Sequence, residues 1–255
     1  MSGLSVVRSP WKVILRELVT NSTKLSFASP FIKSDAVDAI LEGNLEIRGI
    51  TAFNLCRFVN GASDLAAVEK LLDRGATLYS LWNLHAKVYA FDYCAIVTSA
   101  NLTTGGLIAN TEYGVMIRDE DQVNRIKTDL DGWVRESSRI DREWTESAKK
   151  LCDKIPIDQR KFRRDIVDEI PLEDDAIVEA LSGWTREVFT VLCDFTQIEF
   201  TLPDIYAYEK RFSVVYPNNR NVKAKIRQTL QYLRDMGLVQ FVRPGVYRRM
   251  VTQAR

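Results

Sequence analysis

The chain has 255 residues, of which 46% are hydrophobic and 27% charged, which is ordinary for a folded protein of one large or two small domains. No apolar run approaches the roughly 18 residues that predict a membrane-spanning helix, and the first ten residues lack the apolar stretch of a signal peptide. The four cysteines form no C-x-x-C pair, and one histidine excludes a histidine-based metal cage within one chain. We therefore expect a cytoplasmic protein with no membrane partner, no bound metal and no cofactor.

Strand and helix patterns alternate through the first half of the chain. Helical spacing of apolar residues predicts helices that begin at Pro10 and that span Asp35–Leu41, Ser63–Leu72 and Gln122–Val134. Strands are predicted at Lys24–Ile32, Leu45–Phe53, Leu84–Phe91, Ala95–Ser99 and Tyr113–Ile117. This alternation is typical of the α/β class, with helices on the faces of a sheet.

The last part of the chain has a different order of elements. Helices are predicted at Trp184–Phe195, Asp204–Val215 and Asn221–Met236, and two short strands flank the turn dipeptide Pro244-Gly245. Three helices followed by a hairpin are typical of a winged helix. We therefore predict a first domain over 1–150, a charged linker over 151–182 and a winged-helix domain over 183–255.

One group of polar residues predicts phosphoryl chemistry. His85 and Lys87 are two positions apart on a predicted strand, which places both side chains on one face about 6.5 Å apart. Ser99 and Asn101 share a face at the end of the next strand, and Glu112 lies near the start of a third. An imidazole can attack phosphorus or transfer a proton, while a cation and neutral donors hold phosphate oxygens and a carboxylate fixes the imidazole tautomer. A lone histidine is nevertheless more often structural than catalytic.

The segments HAKVYAFD and TSANLTTGGLIANTEYGV resemble the phospholipase D superfamily in its H-x-K-x4-D, S-x-N and N-x-E pattern, over about residues 20–138. The resemblance implies a metal-independent phosphohistidine mechanism. It makes His85 the nucleophile or leaving-group acid, gives phosphate binding to Lys87 and Asn101 with Ser99, and makes Glu112 orient His85. The family commonly has glycine before the serine, where this chain has threonine at position 98. The motif's aspartate falls at position 92, at a strand end, where a turn residue is equally expected.

The superfamily builds its active site from two such motifs, whereas this chain has one motif and one histidine. The resemblance therefore implies a homodimer in which two copies of His85 meet across a two-fold axis and share one centre.

The C-terminal region carries most of the positive charge. Residues 183–255 hold 12 Lys/Arg and 6 Asp/Glu, a net charge of +6, whereas the preceding residues have a net charge of −5. Arginine and glutamine are side chains that read base edges in the major groove, and wing arginines suit phosphates. The predicted DNA-binding residues are Arg220, Lys223, Ala224, Arg227, Gln228 and Gln231 on the third helix, with Arg243, Arg248 and Arg249 on the wing.

The segment YPNNRNVKAKIRQTLQYLRDMGL resembles the C-terminal winged-helix domain of the methyladenine-dependent GATC restriction endonucleases. The resemblance covers about 55 residues and implies a DNA-reading domain in restriction biology. It leaves open whether a methylated base is required here.

The leading hypothesis is a metal-independent endonuclease that cleaves duplex DNA in restriction. One alternative is the nuclease subunit of a complex whose NTP-driven translocase is a separate chain, since the sequence has no G-x-x-x-x-G-K-[ST] motif. A non-catalytic DNA-binding regulator, a lipid phosphodiesterase and a ribonuclease are the others.

Overall fold

A computed structural model of the protein describes residues 3–155 and 172–250. The described residues form two compact units. The first comprises the described residues up to Thr145 except Asn54–Asn60, and the second comprises Asn54–Asn60 and the described residues from Glu146 onward. The predicted linker lies partly outside the described residues, and its described part contains a helix at Asp174–Ala180. The domain limits given above stay a prediction.

In chain order the helices are α1 (Trp11–Thr20), α2 (Ser34–Ile40), α3 (Leu55–Val59), α4 (Leu65–Asp73), α5 (Glu120–Glu136), α6 (Arg142–Lys154), α7 (Asp174–Ala180), α8 (Gly183–Cys193), α9 (Leu202–Tyr206), α10 (Glu209–Val215) and α11 (Val222–Met236). The strands are β1 (Leu4–Arg8), β2 (Lys24–Ala28), β3 (Glu46–Thr51), β4 (Thr77–Ser80), β5 (Val88–Phe91), β6 (Ala95–Thr98), β7 (Tyr113–Ile117), β8 (Ser138–Ile140), β9 (Glu199–Thr201), β10 (Val239–Arg243) and β11 (Val246–Arg249). A π-helical turn occupies Gly105–Ala109. Within the described residues, no helix is both long enough and apolar enough to span a membrane.

The first unit is built on an eight-stranded mixed sheet with the order β1-β7-β6-β5-β2-β3-β4-β8. Strands β2, β3 and β4 are parallel to one another, and the remaining neighbours are antiparallel. Helix α5 packs on one face through Val123 and Leu130, which join a buried cluster that includes Ala28, Ile50 and Val88. Because the sheet is large and flanked by helices, the predicted α/β class is confirmed.

Local sequence explains where the helices of this unit begin. The Asp64 carboxylate accepts the backbone N–H of Ala67 at 2.7 Å and so caps α4. Asp119 caps α5 in the same way by accepting the N–H of Gln122 at 3.0 Å. Three short strands, β1, β4 and β8, were not predicted from the sequence.

The strand directions bring one set of chain segments to the same edge of the sheet. β2 ends at this edge, β5 begins there, β6 ends there and β7 begins there, as the pairs Ala28↔Val88 and Thr98↔Gly114 show. The Oγ of buried Ser29, just after β2, accepts the backbone N–H of Leu102 at 2.9 Å and joins two of these segments. We call this the site edge, because every residue of the predicted phosphoryl-chemistry group except Asp92 lies on a segment that meets it.

The second unit contains a three-stranded sheet in the order β10-β11-β9 and the helices α8 to α11. The predicted winged helix is therefore confirmed, with β9 as an additional strand. The predicted helix Asp204–Val215 is instead two helices, α9 and α10. The first of them begins at Leu202, before the predicted start. There the Asp204 carboxylate accepts both the backbone N–H and the hydroxyl of Thr201, each at 2.7 Å. Helix α11 ends at Gly237, whose φ of 86° suits glycine.

Candidate functional site

His85 and Lys87 do not lie on a strand, contrary to the sequence prediction. β5 begins only at Val88, and the two residues belong to the irregular segment that leads into it. The strand alternation that placed both side chains on one face therefore does not apply. The segment is still attached to the sheet, because the Lys87 carbonyl accepts the N–H of Thr98 at 3.1 Å.

The imidazole of His85 is exposed at the site edge. The backbone carbonyl of His85 accepts the ammonium group of Lys87 at 2.6 Å, so the cation lies beside the histidine backbone. Among the described residues, the imidazole forms no hydrogen bond or ion pair. An exposed imidazole with a neighbouring cation can meet a phosphate that arrives from solvent.

Asn101 follows β6, and its backbone is approached closely by Gly106. A Cβ on Gly106 would lie 2.7 Å from the Asn101 backbone nitrogen, so only glycine permits the observed approach. The Asn101 side-chain oxygen is buried and accepts no hydrogen bond from the described residues. Because an unsatisfied buried acceptor costs free energy, this amide is suited to a group that arrives with a donor.

Glu112 and Ser99 interact directly. The Ser99 hydroxyl donates a hydrogen bond to the Glu112 carboxylate, and the Ser99 oxygen accepts the backbone N–H of Tyr113 at 3.1 Å. The other carboxylate oxygen of Glu112 accepts the amide of Asn110 at 3.2 Å. The predicted bond between Glu112 and the imidazole of the same chain is not formed. β6 separates β5 from β7, so the two segments lie about 10 Å apart at a strand spacing of about 4.8 Å.

Tyr89 lies under this group and was not identified from the sequence. Its hydroxyl donates to the carbonyl of Ala100 at 3.1 Å, and its side chain is 1% exposed. Burial raises the pKa of Tyr89, a hydrogen bond with Ser29 opposes the shift, and the charge of Glu112 adds to it. Tyr89 therefore remains a neutral donor that fixes the backbone between Ser99 and Asn101.

Asp92 lies at the opposite end of β5 from His85. Its carboxylate accepts the backbone N–H of Thr23 at 2.5 Å and the Thr23 hydroxyl at 3.1 Å. Burial opposes the shift most strongly, but the hydrogen bonds from Thr23 and Lys24, together with the charge of Lys127, lower the pKa of Asp92. Asp92 is thus a turn residue that ties β5 to β2, away from the site edge.

Helix α11 and the segments beside it leave most of the predicted DNA-binding residues open to solvent. The following predicted reading residues are exposed: Arg220, Lys223, Ala224, Arg227, Gln228, Gln231, Arg243 and Arg248. Two of them contact Tyr206 of α9, which the sequence analysis overlooked. Arg227 donates to the Tyr206 hydroxyl at 2.9 Å, and the Lys223 ammonium lies 5.6 Å from the ring centre. These contacts orient two cations that remain open to solvent.

The two wing arginines at the end of β11 differ. Arg248 is exposed and pairs with Glu199. The guanidinium of Arg249 is only 10% exposed, pairs with Asp174 at 2.8 Å and donates to the Leu192 carbonyl at 3.2 Å. The expectation that Arg249 contacts a phosphate is therefore wrong, because this side chain joins β11 to α7 and α8.

Two protein-family models match the chain. The model described as "Cardiolipin synthase, PLD-like domain" matches residues 17–133, and the model described as "Dam-replacing HTH domain" matches residues 181–249. Among the described residues, no group of three or more His, Cys, Asp or Glu side chains is arranged to hold a metal ion.

Solved structures that this chain matches include Nuc, a phospholipase D family member from Salmonella typhimurium. It has 16% identity and a TM-score of 0.45, with 54% of this chain and 97% of that chain covered. NucT from Helicobacter pylori has 14% identity and a TM-score of 0.41, covering 54% and 98%. Phosphatidylserine synthase from Haemophilus influenzae Rd KW20 has 16% identity and a TM-score of 0.43, covering 62% and 44%.

The two matched regions agree with the two kinds of architecture in the structure. The first contains the mixed sheet with His85, Lys87 and Asn101 at its site edge, and the second contains α8 to α11 and the three-stranded sheet. The chain therefore combines a phospholipase D-like domain with a C-terminal Dam-replacing HTH domain, which is a winged helix.

Proposed function

We propose that the protein is a homodimeric, metal-independent DNA endonuclease that acts in restriction. The observation that carries the proposal is that one chain joins two features. His85, Lys87, Ser99, Asn101 and Glu112 lie on segments that meet at one sheet edge, and a separate winged helix exposes a basic reading face. The first supplies groups for phosphodiester chemistry, and the second supplies a surface for duplex DNA.

The proposed reaction uses the imidazoles of two copies of the chain. A neutral His85 attacks phosphorus, the P–O bond to the leaving strand breaks, and the partner's His85, as imidazolium, protonates the leaving oxygen. That second imidazole then takes a proton from water, whose oxygen attacks phosphorus and releases the first imidazole. The Lys87 ammonium and the amide NH2 group of Asn101 donate hydrogen bonds to the non-bridging phosphate oxygens throughout.

The need for one neutral and one protonated imidazole predicts a pH dependence. The rate is expected to be highest in mildly acidic to neutral solution and to fall on both sides, because either extreme leaves both rings in the same state. A rate that keeps increasing through alkaline pH would contradict the paired mechanism.

Glu112 fits this scheme as an orienting group across the two-fold axis. Its carboxylate is held by Ser99 and Asn110 about two strand spacings from the His85 segment of its own chain. We therefore assign Glu112 to the partner's His85, where its charge stabilises the imidazolium form.

An exposed apolar surface of the sheet supports the proposed homodimer. Leu4, Val6, Val97 and Tyr113 are 40–55% exposed, and the register of β1, β7 and β6 places them on one face of the sheet. Farther along the sheet, α5 covers the same face. The part formed by these four residues is left exposed. Exposed apolar patches of this kind mark interfaces, and this patch reaches the site edge at Tyr113.

Plasmid cleavage in excess EDTA tests the activity. The full chain is incubated with adenine-methylated and unmethylated supercoiled plasmid, and the wild type is expected to cut in EDTA. His85→Ala is expected to lose activity by about 10³-fold or more. Lys24→Ala is the matched control, because Lys24 is exposed at the opposite end of β2 and pairs with Glu46 at 3.0 Å. Binding without cutting under any metal condition would identify a regulator instead.

Mixed dimers test the shared centre. Wild-type and His85→Ala chains with different tags are combined, and the dimer that carries both tags is purified. Because each reaction needs both imidazoles, this dimer is expected to be as inactive as the His85→Ala homodimer. Half of the wild-type activity would show that each chain has its own centre.

A further inference from the structure

Ser9 forms a clamp on the segment that carries Glu112. Its backbone N–H donates to the Glu112 carbonyl at 3.2 Å, and its Oγ accepts the Glu112 N–H at 2.9 Å. The same hydroxyl donates to the Asn110 carbonyl at 3.0 Å. Ser9 lies between β1 and α1, more than a hundred residues from Glu112 in sequence and before the region that matches the PLD-like model. No motif in the sequence pointed to it.

The clamp fixes a segment that would otherwise have few restraints. Residues 110 and 111 are exposed and lie between the π-helical turn and the start of β7. Ser9 occupies both backbone hydrogen-bonding groups of Glu112. The amide of Asn110, whose carbonyl Ser9 also holds, donates to the Glu112 carboxylate at 3.2 Å. The direction of that carboxylate therefore depends on a residue of the N-terminal strand connection.

We propose that Ser9 is a positioning residue for the carboxylate of Glu112. This inference rests on the proposed function, in which that carboxylate orients an imidazole during phosphodiester cleavage. Lys87 and Asn101, which hold the substrate phosphate, form no hydrogen bond with Ser9 in the described residues. Loss of the Ser9 hydroxyl is therefore expected to slow the chemical step while substrate binding stays the same.

The test compares four versions of the full-length dimer: wild type, Ser9→Ala, Ser9→Thr and Ser5→Ala. Threonine retains the hydroxyl and is the conservative rescue. Ser5 is exposed on the preceding strand β1 and serves as the matched control. Ser9→Ala is expected to lower kcat by about 10- to 100-fold with KM changed by less than about two-fold. Ser9→Thr is expected to recover most of kcat, and Ser5→Ala to match the wild type.

A second readout separates this inference from the proposed function. Amide hydrogen exchange at Glu112 is measured by NMR in the same proteins, because its N–H donates to the Ser9 hydroxyl. Ser9→Ala is expected to speed this exchange by about 10-fold or more, with strand β6 unchanged. Unchanged exchange overturns the clamp, and faster exchange with unchanged kcat overturns the positioning role. If the wild type does not cleave DNA at all, the proposed function fails, while exchange still decides whether Ser9 fixes Glu112.

Discussion

The site edge and the reading face are built in different ways. The candidate catalytic groups come from separate segments that end or begin at neighbouring strands. Some are fixed from elsewhere in the chain, as Glu112 is by hydrogen bonds from Ser9 and Asn101 is by the close approach of Gly106. The reading groups come mainly from one helix, and their common direction follows from its 3.6-residue period. A change in packing should therefore damage the first strongly, while the second should lose affinity one side chain at a time.

Among changes outside the proposed catalytic groups, the largest effect is expected from Gly106→Ala. The added methyl group would collide with the Asn101 backbone, so Asn101 must move or the π-helical turn must distort. We expect about 100-fold lower cleavage and a loss of about 1–3 kcal/mol in the free energy of unfolding. Cleavage rates and denaturant unfolding measure both quantities.

Gly105→Ala is the matched control for this change. A methyl group there would lie 3.5 Å from the Asn110 amide, an ordinary contact. Equal damage from both variants would show that the turn, and not the approach to Asn101, limits activity.

A smaller effect is expected for Arg227→Ala in the reading helix. Removal of this exposed cation should weaken binding to duplex DNA by about 1–3 kcal/mol. If Arg227 contacts a phosphate, the slope of log K against log salt concentration should also fall in magnitude by about one. Binding titrations at several salt concentrations measure both. Arg186→Ala, which removes an exposed arginine of α8, is the control and should bind as the wild type does. Cleavage at saturating DNA should remain near the wild-type rate, which would separate reading from chemistry.

The smallest effect is expected at the start of α9. Hydrogen bonds from the Thr201 hydroxyl and backbone lower the pKa of Asp204, so the ionised form stabilises the winged helix. This contribution is present above the unfolded-state pKa and is lost as the pH falls through the lower folded-state value. Because this carboxylate is exposed and screened by solvent, Asp204→Asn is expected to cost only about 0.5 kcal/mol at neutral pH and to be nearly neutral in strong acid. Thermal unfolding at both pH values measures the difference, and an equal cost at both would contradict the role of the charge.

Sequence periodicity predicted the elements that carry most of the buried surface. Helix α11 and strand β7 were placed to within one residue. For α11 the reason is an apolar repeat that runs through all 15 residues of the helix. The predicted start of β5 at Leu84 was wrong, because β5 begins at Val88. The residues from Leu84 onward have a strand-like pattern, but whether a segment pairs with a neighbouring strand is not encoded in its own residues. Arg249 was misplaced for a similar reason, because its partner Asp174 is distant in sequence.

The amino-acid sequence by itself determined the two kinds of domain, the residue types of the candidate centre and the exposed face of the third helix. These features depend on the spacing of residues within single segments, which needs no contact with the rest of the chain. Only the tertiary structure decided that Asp92 lies away from the site edge, that the Glu112 carboxylate bonds Ser99 and Asn110 and not its own imidazole, and that Ser9 holds the Glu112 backbone. The order and direction of the strands fix those distances, and pairing between remote segments sets that order.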